Sequence, residues 1–213
     1  MLKTKIAVLI SGGGTNLQAI IDFAKSGGLK SGELALVVSD KAGAYGLTRA
    51  EKASISTLVI AADKSLEITA RKAKFEAELQ SALEAAGIEM IVLAGFMRIL
   101  SADFVSKWEN RIINVHPSLI PSFCGEGFYG LKVHEAALAY GVKVTGATVH
   151  FVNEVPDGGS IIYQKAVEIK DGDTAETLQR RVMEEAEWKI LPQAVSLFCE
   201  DRIIVKNGVT EIR

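Results

Sequence analysis

The sequence has few of the features that mark secreted, membrane-spanning or metal-binding proteins. Only two of its 213 residues are cysteine, and Cys124 and Cys199 lie far apart. With three histidines they form no zinc-type spacing, so we expect two free thiols and no metal. No apolar run approaches the ~20 residues that cross a bilayer. The N-terminus enters a strand-like segment without a cleavage-site pattern, which predicts a cytoplasmic protein that has no signal peptide and no membrane partner.

The chain also lacks an excess of positive charge. It has 24 Lys and Arg residues and 26 Asp and Glu residues, which gives a formal net charge of −2. Proteins that bind nucleic acid through phosphate contacts usually carry a basic face, so no nucleic-acid partner is predicted. Hydrophobic residues make up 48% and charged residues 23%. This balance is typical of a globular chain, and the length fits one α/β domain.

Strand-like and helix-like segments alternate through the first half of the sequence. Apolar runs predict strands at Lys5–Ile10, Glu33–Ser39, Ser56–Ile60, Met90–Leu93, Arg111–Val115, Val144–Val152 and Ile161–Ile169, with short strand candidates from Ile203 to the C-terminus. Helical spacing begins near Leu17 and recurs at Ser65–Ala86, Lys132–Tyr140 and Thr174–Phe198. The order predicts a single α/β domain over 1–213. Its Rossmann-like, mostly parallel twisted sheet carries helices on both faces and becomes mixed through an antiparallel pair in the C-terminal half.

A glycine-rich segment separates the first predicted strand from the first helix. It comprises Gly12, Gly13, Gly14, Thr15 and Asn16. Glycines let backbone approach a ligand closely, and the N–H groups that open a helix attract anions. Thr15 and Asn16 are residue types that cap helices. Leu17 stands where a dinucleotide fingerprint needs glycine. The segment therefore predicts a phosphate site, with an ordinary capped turn as the alternative.

Asn114 and His116 occupy alternate positions at the end of the fifth predicted strand. Alternate side chains share one face of a strand, and α/β folds bind ligands at the carboxyl ends of their strands. Histidine suits proton transfer near neutral pH, and asparagine can stabilise an oxyanion. A structural histidine at a strand end is the alternative on local grounds.

Asp157 lies in a Val-Pro-Asp-Gly-Gly turn between the two strands of the predicted antiparallel pair. Such an acid is commonly an ordinary turn residue. In the functional interpretation it is the partner of His116, because a carboxylate near an imidazole favours the charged form and fixes one tautomer. Local sequence leaves both interpretations open.

Five stretches occur together in an order and spacing that resemble the phosphoribosylglycinamide formyltransferase family. They are Ile10–Leu17 (ISGGGTNL), Leu93–Leu100 (LAGFMRIL), Ile113–Pro121 (INVHPSLIP), Gly146–Phe151 (GATVHF) and Asp157-Gly158-Gly159. The resemblance implies transfer of a formyl group from 10-formyltetrahydrofolate, a co-substrate, to the amine of glycinamide ribonucleotide in purine biosynthesis. It also implies a phosphate/nucleotide-binding half over 1–100 and a folate-binding and catalytic half over 101–200, in a monomer or homodimer.

The same resemblance assigns roles to individual positions. Asn114, His116 and Asp157 match the family's catalytic residues, and Gly12 to Asn16 match its phosphate loop. Glu187 matches an acid that contacts the ribose phosphate part of the nucleotide. The residues implied for folate are Lys72, Phe96, Met97, Arg98, Ile99, Leu100, Asn114, Val152 and Asp157. The chain departs from the family at Phe123–Gly130, which replaces a commoner Phe/Tyr-Pro-Gly segment.

The implied mechanism places negative charge on the former carbonyl oxygen, with Asn114 and a protonated His116 stabilising it. Asp157 would keep His116 charged and oriented. Formyltetrahydrofolate deformylases share the glycine segment and use the same residues with water as the nucleophile, so hydrolysis is the alternative reaction. A methionyl-tRNA formyltransferase is less favoured, because nothing resembles an added tRNA-binding domain. A non-catalytic folate- or nucleotide-binding regulator is a third possibility.

Overall fold

A computed structural model describes residues 2–213 of the chain. Its strands are β1 (Thr4–Ile10), β2 (Gly32–Ser39), β3 (Ser56–Val59), β4 (Met90–Leu93), β5 (Ile112–His116), β6 (Val144–Phe151), β7 (Ile161–Glu168), β8 (Ile203–Lys206) and β9 (Val209–Ile212). Its helices are α1 (Thr15–Lys25), α2 (Tyr45–Lys52), α3 (Ile68–Ala85), α4 (Ala102–Lys107), α5 (Leu131–Tyr140), α6 (Ala175–Val182) and α7 (Trp188–Cys199). A π-helical turn, Met183–Glu187, joins α6 to α7.

Seven strands form one sheet in the order β3-β2-β1-β4-β5-β6-β7. Strands β1 to β5 pair in parallel, whereas β5 with β6 and β6 with β7 pair antiparallel. The predicted fold class is therefore confirmed, including the change to a mixed sheet in the C-terminal half. Strands β8 and β9 form a separate hairpin.

Side chains on the central strands are buried on both faces of the sheet. On β1, Ile6, Val8 and Ile10 belong to one core cluster, and Ala7 and Leu9 belong to the other. The first cluster includes residues of α1, α2, α6 and α7, while the second includes residues of α3 and α4. Because both faces are covered, the strands are continuously apolar, as the sequence pattern indicated. The carboxyl ends of β1, β4 and β5 consequently meet at one edge of the sheet.

Three features of the helices differ from the sequence-based prediction. The sequence pattern did not identify α2 or α4. Both are short, at eight and six residues, so they offer only three and two buried positions and no extended apolar stripe. The predicted helix over Thr174–Phe198 is interrupted by the π-helical turn. Apolar spacing does not distinguish an inserted residue in a helix from regular winding, and such turns are often found at functional sites.

None of the helices within residues 2–213 is long and apolar enough to cross a membrane.

Candidate functional site

The glycine segment connects β1 to α1 at the carboxyl edge of the sheet. Gly14 is the residue preceding α1, with a left-handed φ of 69°, and no side chain caps this helix end. The expectation that Thr15 or Asn16 would cap α1 is therefore wrong, because both residues already lie inside the helix. Thr15 instead directs its hydroxyl to the Met183 sulfur at 3.8 Å. The first backbone N–H groups of α1 thus have no side-chain acceptor, as an anion site requires.

Asn16 links this helix to the π-helical turn. Its Nδ2 donates to Glu187 Oε2 at 2.6 Å, across 171 positions of sequence. Glu187 is buried, and its burial raises the pKa of the carboxyl to about 7, although the bond from Asn16 acts in the opposite direction. The structure therefore brings the predicted phosphate loop and the predicted nucleotide-binding acid together.

Strand β5 presents Asn114 and His116 at the same edge. In the antiparallel register, Asn114 lies opposite His150 on β6, and His116 lies opposite Thr148. Asn114 Nδ2 lies 3.2 Å from His150 Nε2. His150 Nδ1 lies 2.7 Å from its neighbouring Phe151 carbonyl oxygen. Because a carbonyl oxygen can only accept, His150 donates from Nδ1 to Phe151 O.

Asp157 completes a cluster with these side chains. Its Oδ2 lies 3.4 Å from His116 Nδ1, and its Oδ1 lies 3.7 Å from His150 Nε2. The backbone N–H of Gly125 donates to Oδ2 at 2.9 Å. Asp157 has a left-handed φ of 56°. Asparagine and aspartate tolerate this conformation best among residues with a side chain, which accounts for an acid at this point of the turn.

His116 is also held from the other side of its ring. Its Nε2 donates to the Phe123 carbonyl oxygen at 2.9 Å, within the segment where the chain departs from the family pattern. Phe123 has a φ of 50°, and its ring packs edge-on against Phe128 and Tyr140 at 6.3 and 6.0 Å. The segment therefore contacts both His116 and, through Gly125, Asp157.

The electrostatics of His116 differ from the expectation of a charged imidazole. Its pKa is lowered, chiefly by burial and further by His150, while Asp157 and the Phe123 carbonyl act to raise it. Burial therefore opposes the charged imidazole more strongly than Asp157 favours it, and the role of Asp157 in keeping His116 charged during the reaction stays a prediction. The pKa of Asp157 is lowered: burial acts to raise it, but His150, His116 and the Gly125 amide outweigh that effect.

Two neighbours of the cluster were not identified as site residues from the sequence. His150 stands between Asn114 and Asp157, and the hydroxyl of the fully buried Thr148 donates to Ser118 O at 2.7 Å. Thr148 Oγ1 also accepts from Ile120 N at 3.1 Å, which fixes the backbone after His116. The polar residues at alternate positions of an otherwise apolar strand, in GATVHF, were a signal that could have pointed to them.

A cavity of about 230 Å³ is lined by four of the residues implied for folate. It is lined by Ile68, Arg71, Lys72, Phe75, Glu76, Arg98, Ile99 and Leu100. Arg98 pairs with the buried Asp40 at 3.0 Å and stacks on the Phe75 ring at 4.6 Å. Arg71 donates to backbone carbonyls of residues 63, 64 and 66, so Lys72 is the less constrained of the two adjacent cations.

The other residues implied for folate are not part of this lining. Phe96 stacks on Phe75 with centroids 6.2 Å apart, and Met97 N donates to Ser11 Oγ at 2.9 Å. Val152 lines a separate cleft of about 440 Å³ between α4, the β6–β7 loop and the β8–β9 hairpin. That larger cleft contains none of Asn114, His116 and Asp157.

No group of three or more His, Cys, Asp or Glu side chains within residues 2–213 is arranged to hold a metal ion.

Residues 4–195 match the formyl transferase family. The chain belongs to this family. It is 38% identical over 205 residues to phosphoribosylglycinamide formyltransferase of Haemophilus influenzae, covering 96% of this chain and 92% of that protein. It is 48% identical over 203 residues to the trifunctional purine biosynthetic protein adenosine-3 of Gallus gallus. That alignment covers 95% of this chain but only 19% of the trifunctional protein, so the chain spans about a fifth of that relative.

Solved structures agree with this assignment. Glycinamide ribonucleotide transformylase 1 from Symbiobacterium toebii superposes with a TM-score of 0.88 at 43% identity, covering 99% of this chain and 94% of that chain. A formyltetrahydrofolate deformylase from Pseudomonas syringae superposes with a TM-score of 0.83 at 25% identity and covers 99% of this chain and 66% of that one. The deformylase relative is thus the more distant of the two.

Proposed function

We propose that the chain transfers the formyl group of 10-formyltetrahydrofolate to the amine of glycinamide ribonucleotide. The products are formylglycinamide ribonucleotide and tetrahydrofolate, in de novo purine biosynthesis. The observation that carries the proposal is the cluster of Asn114, His116 and Asp157 at the carboxyl edge of the sheet. Likeness to a phosphoribosylglycinamide formyltransferase over 92% of its length supports the choice of substrates.

The nucleotide would occupy the start of α1. Gly12, Gly13, Gly14 and Thr15 would surround the phosphate, because the uncapped N–H groups there complement its charge. Asn16 and Glu187, joined at 2.6 Å, would contact the ribose phosphate part. The glycine segment follows β1, and β4 lies between β1 and β5 in the sheet. The amine of a bound nucleotide would therefore point toward β5.

The folate would lie on the side of β4 and α3. Lys72 offers positive charge to the carboxylates of a folate, while Arg98, Ile99 and Leu100 would belong to the pocket for its pterin ring. Phe96, Met97 and Val152 would complete the folate site from neighbouring backbone, with Asn114 and Asp157 at its reactive end. Both substrates are small molecules, and the proposal includes no metal and no nucleic acid.

In the proposed reaction the amine nitrogen attacks the formyl carbon, and the C–O double bond becomes a C–O⁻ single bond. Asn114 Nδ2 would donate to that oxygen, and His116 would stabilise it while passing a proton. The proton lost by the amine moves to the folate nitrogen as its bond to the formyl carbon breaks. Asp157, 3.4 Å from His116 Nδ1, would orient the protonated imidazole and relay the proton.

We also propose that 1–213 acts as one domain in the cytoplasm, as a monomer or homodimer. Residues 1–100 would hold the nucleotide, and 101–200 would supply most of the catalytic groups. Lys72, Phe96 and Arg98 belong to the first half in sequence but to the proposed folate side in space. The boundary at residue 100 therefore divides the sequence, but it does not separate the nucleotide side of the site from the folate side.

The proposal is tested by incubating the protein with 10-formyltetrahydrofolate, with and without glycinamide ribonucleotide. We expect tetrahydrofolate to form only when the nucleotide is present, with one formylated nucleotide per folate. Release of formate at the same rate without the nucleotide would instead identify the hydrolase. Binding of both ligands without turnover would identify a non-catalytic protein.

Substitutions test the roles of the cluster. His116→Ala should lower kcat on the order of 10²–10³-fold, the usual cost of losing one group that stabilises an oxyanion. Asp157→Asn should lower kcat in the same direction, whereas Asp171→Asn, an exposed acid with the same change of charge, should not. Near-normal transfer by His116→Ala would show that the reaction is carried out elsewhere.

A further inference from the structure

Helix α2, which the sequence pattern did not identify, packs against the glycine segment. The backbone N–H of Gly46 donates to Gly12 O at 3.0 Å. Three residues further along the helix, Arg49 Nε donates to Gly13 O at 2.7 Å. Two successive carbonyls of the segment are therefore bonded to one neighbouring helix, and the second of these bonds comes from a charged side chain.

The Arg49 guanidinium is fixed by two contacts besides its bond to Gly13. Its Nη1 donates to Gln18 Oε1 at 3.1 Å, and its Cζ lies 5.0 Å from the centre of the Tyr45 ring. A guanidinium held at several points loses little further freedom when it forms a bond, and bonds from charged donors are among the stronger ones. Arg49 therefore restrains both the loop and the first turns of α1.

The contacts of the two carbonyls also fix the directions of the N–H groups that follow them, because the peptide unit is planar and trans. In each peptide unit the C=O and N–H bonds point in opposite directions. Because Gly12 O and Gly13 O face α2, the N–H groups of Gly13 and Gly14 face away from it. Within residues 2–213 neither of these amides donates to a protein acceptor. They add to the uncapped N–H groups that begin α1, and successive backbone N–H groups of this kind form anion sites.

We propose that Arg49 is a positioning residue for phosphate binding, which holds the Gly13 carbonyl toward α2 and so aims the following amide at the phosphate of the nucleotide. The inference rests on the proposed function, since it takes the glycine segment as the phosphate site. Arg49 acts through the backbone and not through the reacting atoms. Its loss should therefore weaken nucleotide binding and leave the chemical step unchanged.

The close approach of α2 to the loop is built into the sequence. A Cβ on Gly46 would overlap the Ile10 side chain and lie 3.2 Å from Gly14 Cα, and a Cβ on Gly14 would lie 2.6 Å from Gly46 Cα. By contrast, a Cβ on Gly12 or Gly13 would meet nothing within 4 Å. Glycine is thus required where the two segments touch, and this contact brings Arg49 within reach of Gly13.

The test compares steady-state kinetics of the wild type, Arg49→Met and Arg49→Lys. Methionine keeps much of the stem without the donors, and lysine keeps the charge without the fork. We expect Arg49→Met to raise KM for glycinamide ribonucleotide about tenfold, the scale of one hydrogen bond from a charged group. KM for formyl-folate and kcat should change less than twofold. Arg49→Lys should recover only part of the loss.

Two controls separate positioning from other effects. Lys52→Met removes an exposed cation from the same helix and should leave every constant unchanged. With glycinamide riboside, the substrate without its phosphate, Arg49→Met should have nearly the same kcat/KM as the wild type, because the Gly14 N–H then has no phosphate to bind. An equal loss with the riboside, an equal effect of Lys52→Met, or full recovery in Arg49→Lys would each overturn the proposal.

A failure of the proposed function gives a different result. If the wild type transfers no formyl group, the substrates are wrongly assigned. If the wild type is active but KM for the nucleotide is the same in Arg49→Met, only the role of Arg49 is wrong. Circular dichroism and the melting temperature of each variant show whether α2 still folds. If Arg49→Met does not fold, the test is the comparison of Arg49→Lys with the wild type, in which an unchanged KM for the nucleotide would overturn the proposal.

Discussion

Glu187 should make the stability of the protein depend on pH in an unusual direction. Its carboxyl is buried in the π-helical turn, and burial raises its pKa from 4.5 to about 7. A group whose pKa is higher in the folded state favours folding while it is protonated. The folded state therefore gains full benefit below pH 4.5 and loses it progressively as pH rises through 7.

The size of the effect follows from the two pKa values. A difference of about 2.5 units corresponds to about 3 kcal/mol, since one unit is about 1.4 kcal/mol. Most of this loss falls between pH 5 and pH 8. For a chain of this length, 1 kcal/mol shifts the melting temperature by about 2–4 °C. Ionisation of Glu187 should thus lower the melting temperature by roughly 5–10 °C over this interval.

Glu187→Gln isolates this contribution. In the wild type, Asn16 Nδ2 lies 2.6 Å from the Glu187 carboxyl oxygen. The glutamine amide keeps an oxygen that can accept this bond, but it cannot ionise. Thermal unfolding without ligands should show the variant close to the wild type at pH 5 and several degrees more stable at pH 8. Glu185→Gln, an exposed acid of the same turn, should show no such divergence. If both variants diverged equally, or neither did, the argument from burial would be refuted.

Two further predictions concern the catalytic cluster and the glycine loop. In Asp157→Asn, loss of the carboxylate should lower the His116 pKa further, so the acidic limb of the kcat/KM profile should move to lower pH; a shift to higher pH would contradict this. Gly14→Ala should lower the melting temperature by about 3–8 °C, because φ is 69° and the new Cβ would lie 2.6 Å from Gly46. Gly13→Ala, whose Cβ meets nothing within 4 Å, is the matched control, and equal losses in both would refute the explanation.

The architecture was largely predictable from the sequence, because its strongest determinants are local. Continuous apolar runs such as Met90–Leu93 indicate strands buried on both faces, and β4 has those bounds. The antiparallel pair after Val144 was equally visible. Helix α2 was not, since its buried positions are Gly46, Leu47 and Ala50, and two of these three carry little apolar surface. A helix with so little apolar surface is stabilised mainly by its contacts with neighbouring elements, which sequence spacing does not reveal.

The site was predictable only in part, for a related reason. Asn114 and His116 share a strand, so their common face follows from a spacing of two. His150 reaches the same cluster through the pairing of β5 with β6, and Asn16 reaches Glu187 across most of the chain. Such contacts depend on the register and on the order of the strands. These contacts cannot be predicted from sequence spacing alone. A family resemblance indicates which residues form the site but not the pKa values of their side chains.

The lowered pKa of His116 bears on how charge would enter the proposed reaction. Only an interaction that is stronger in the transition state than with the bound substrate accelerates the chemical step. Burial acts to lower the pKa of His116, whereas Asp157 acts to raise it, and a negative oxygen that develops beside the ring would favour the protonated form further. In the proposed reaction the attacking amine would supply that proton. The stabilisation would then be largest in the step that it accelerates, because the burial that opposes charge on His116 also strengthens its interaction with a negative oxygen.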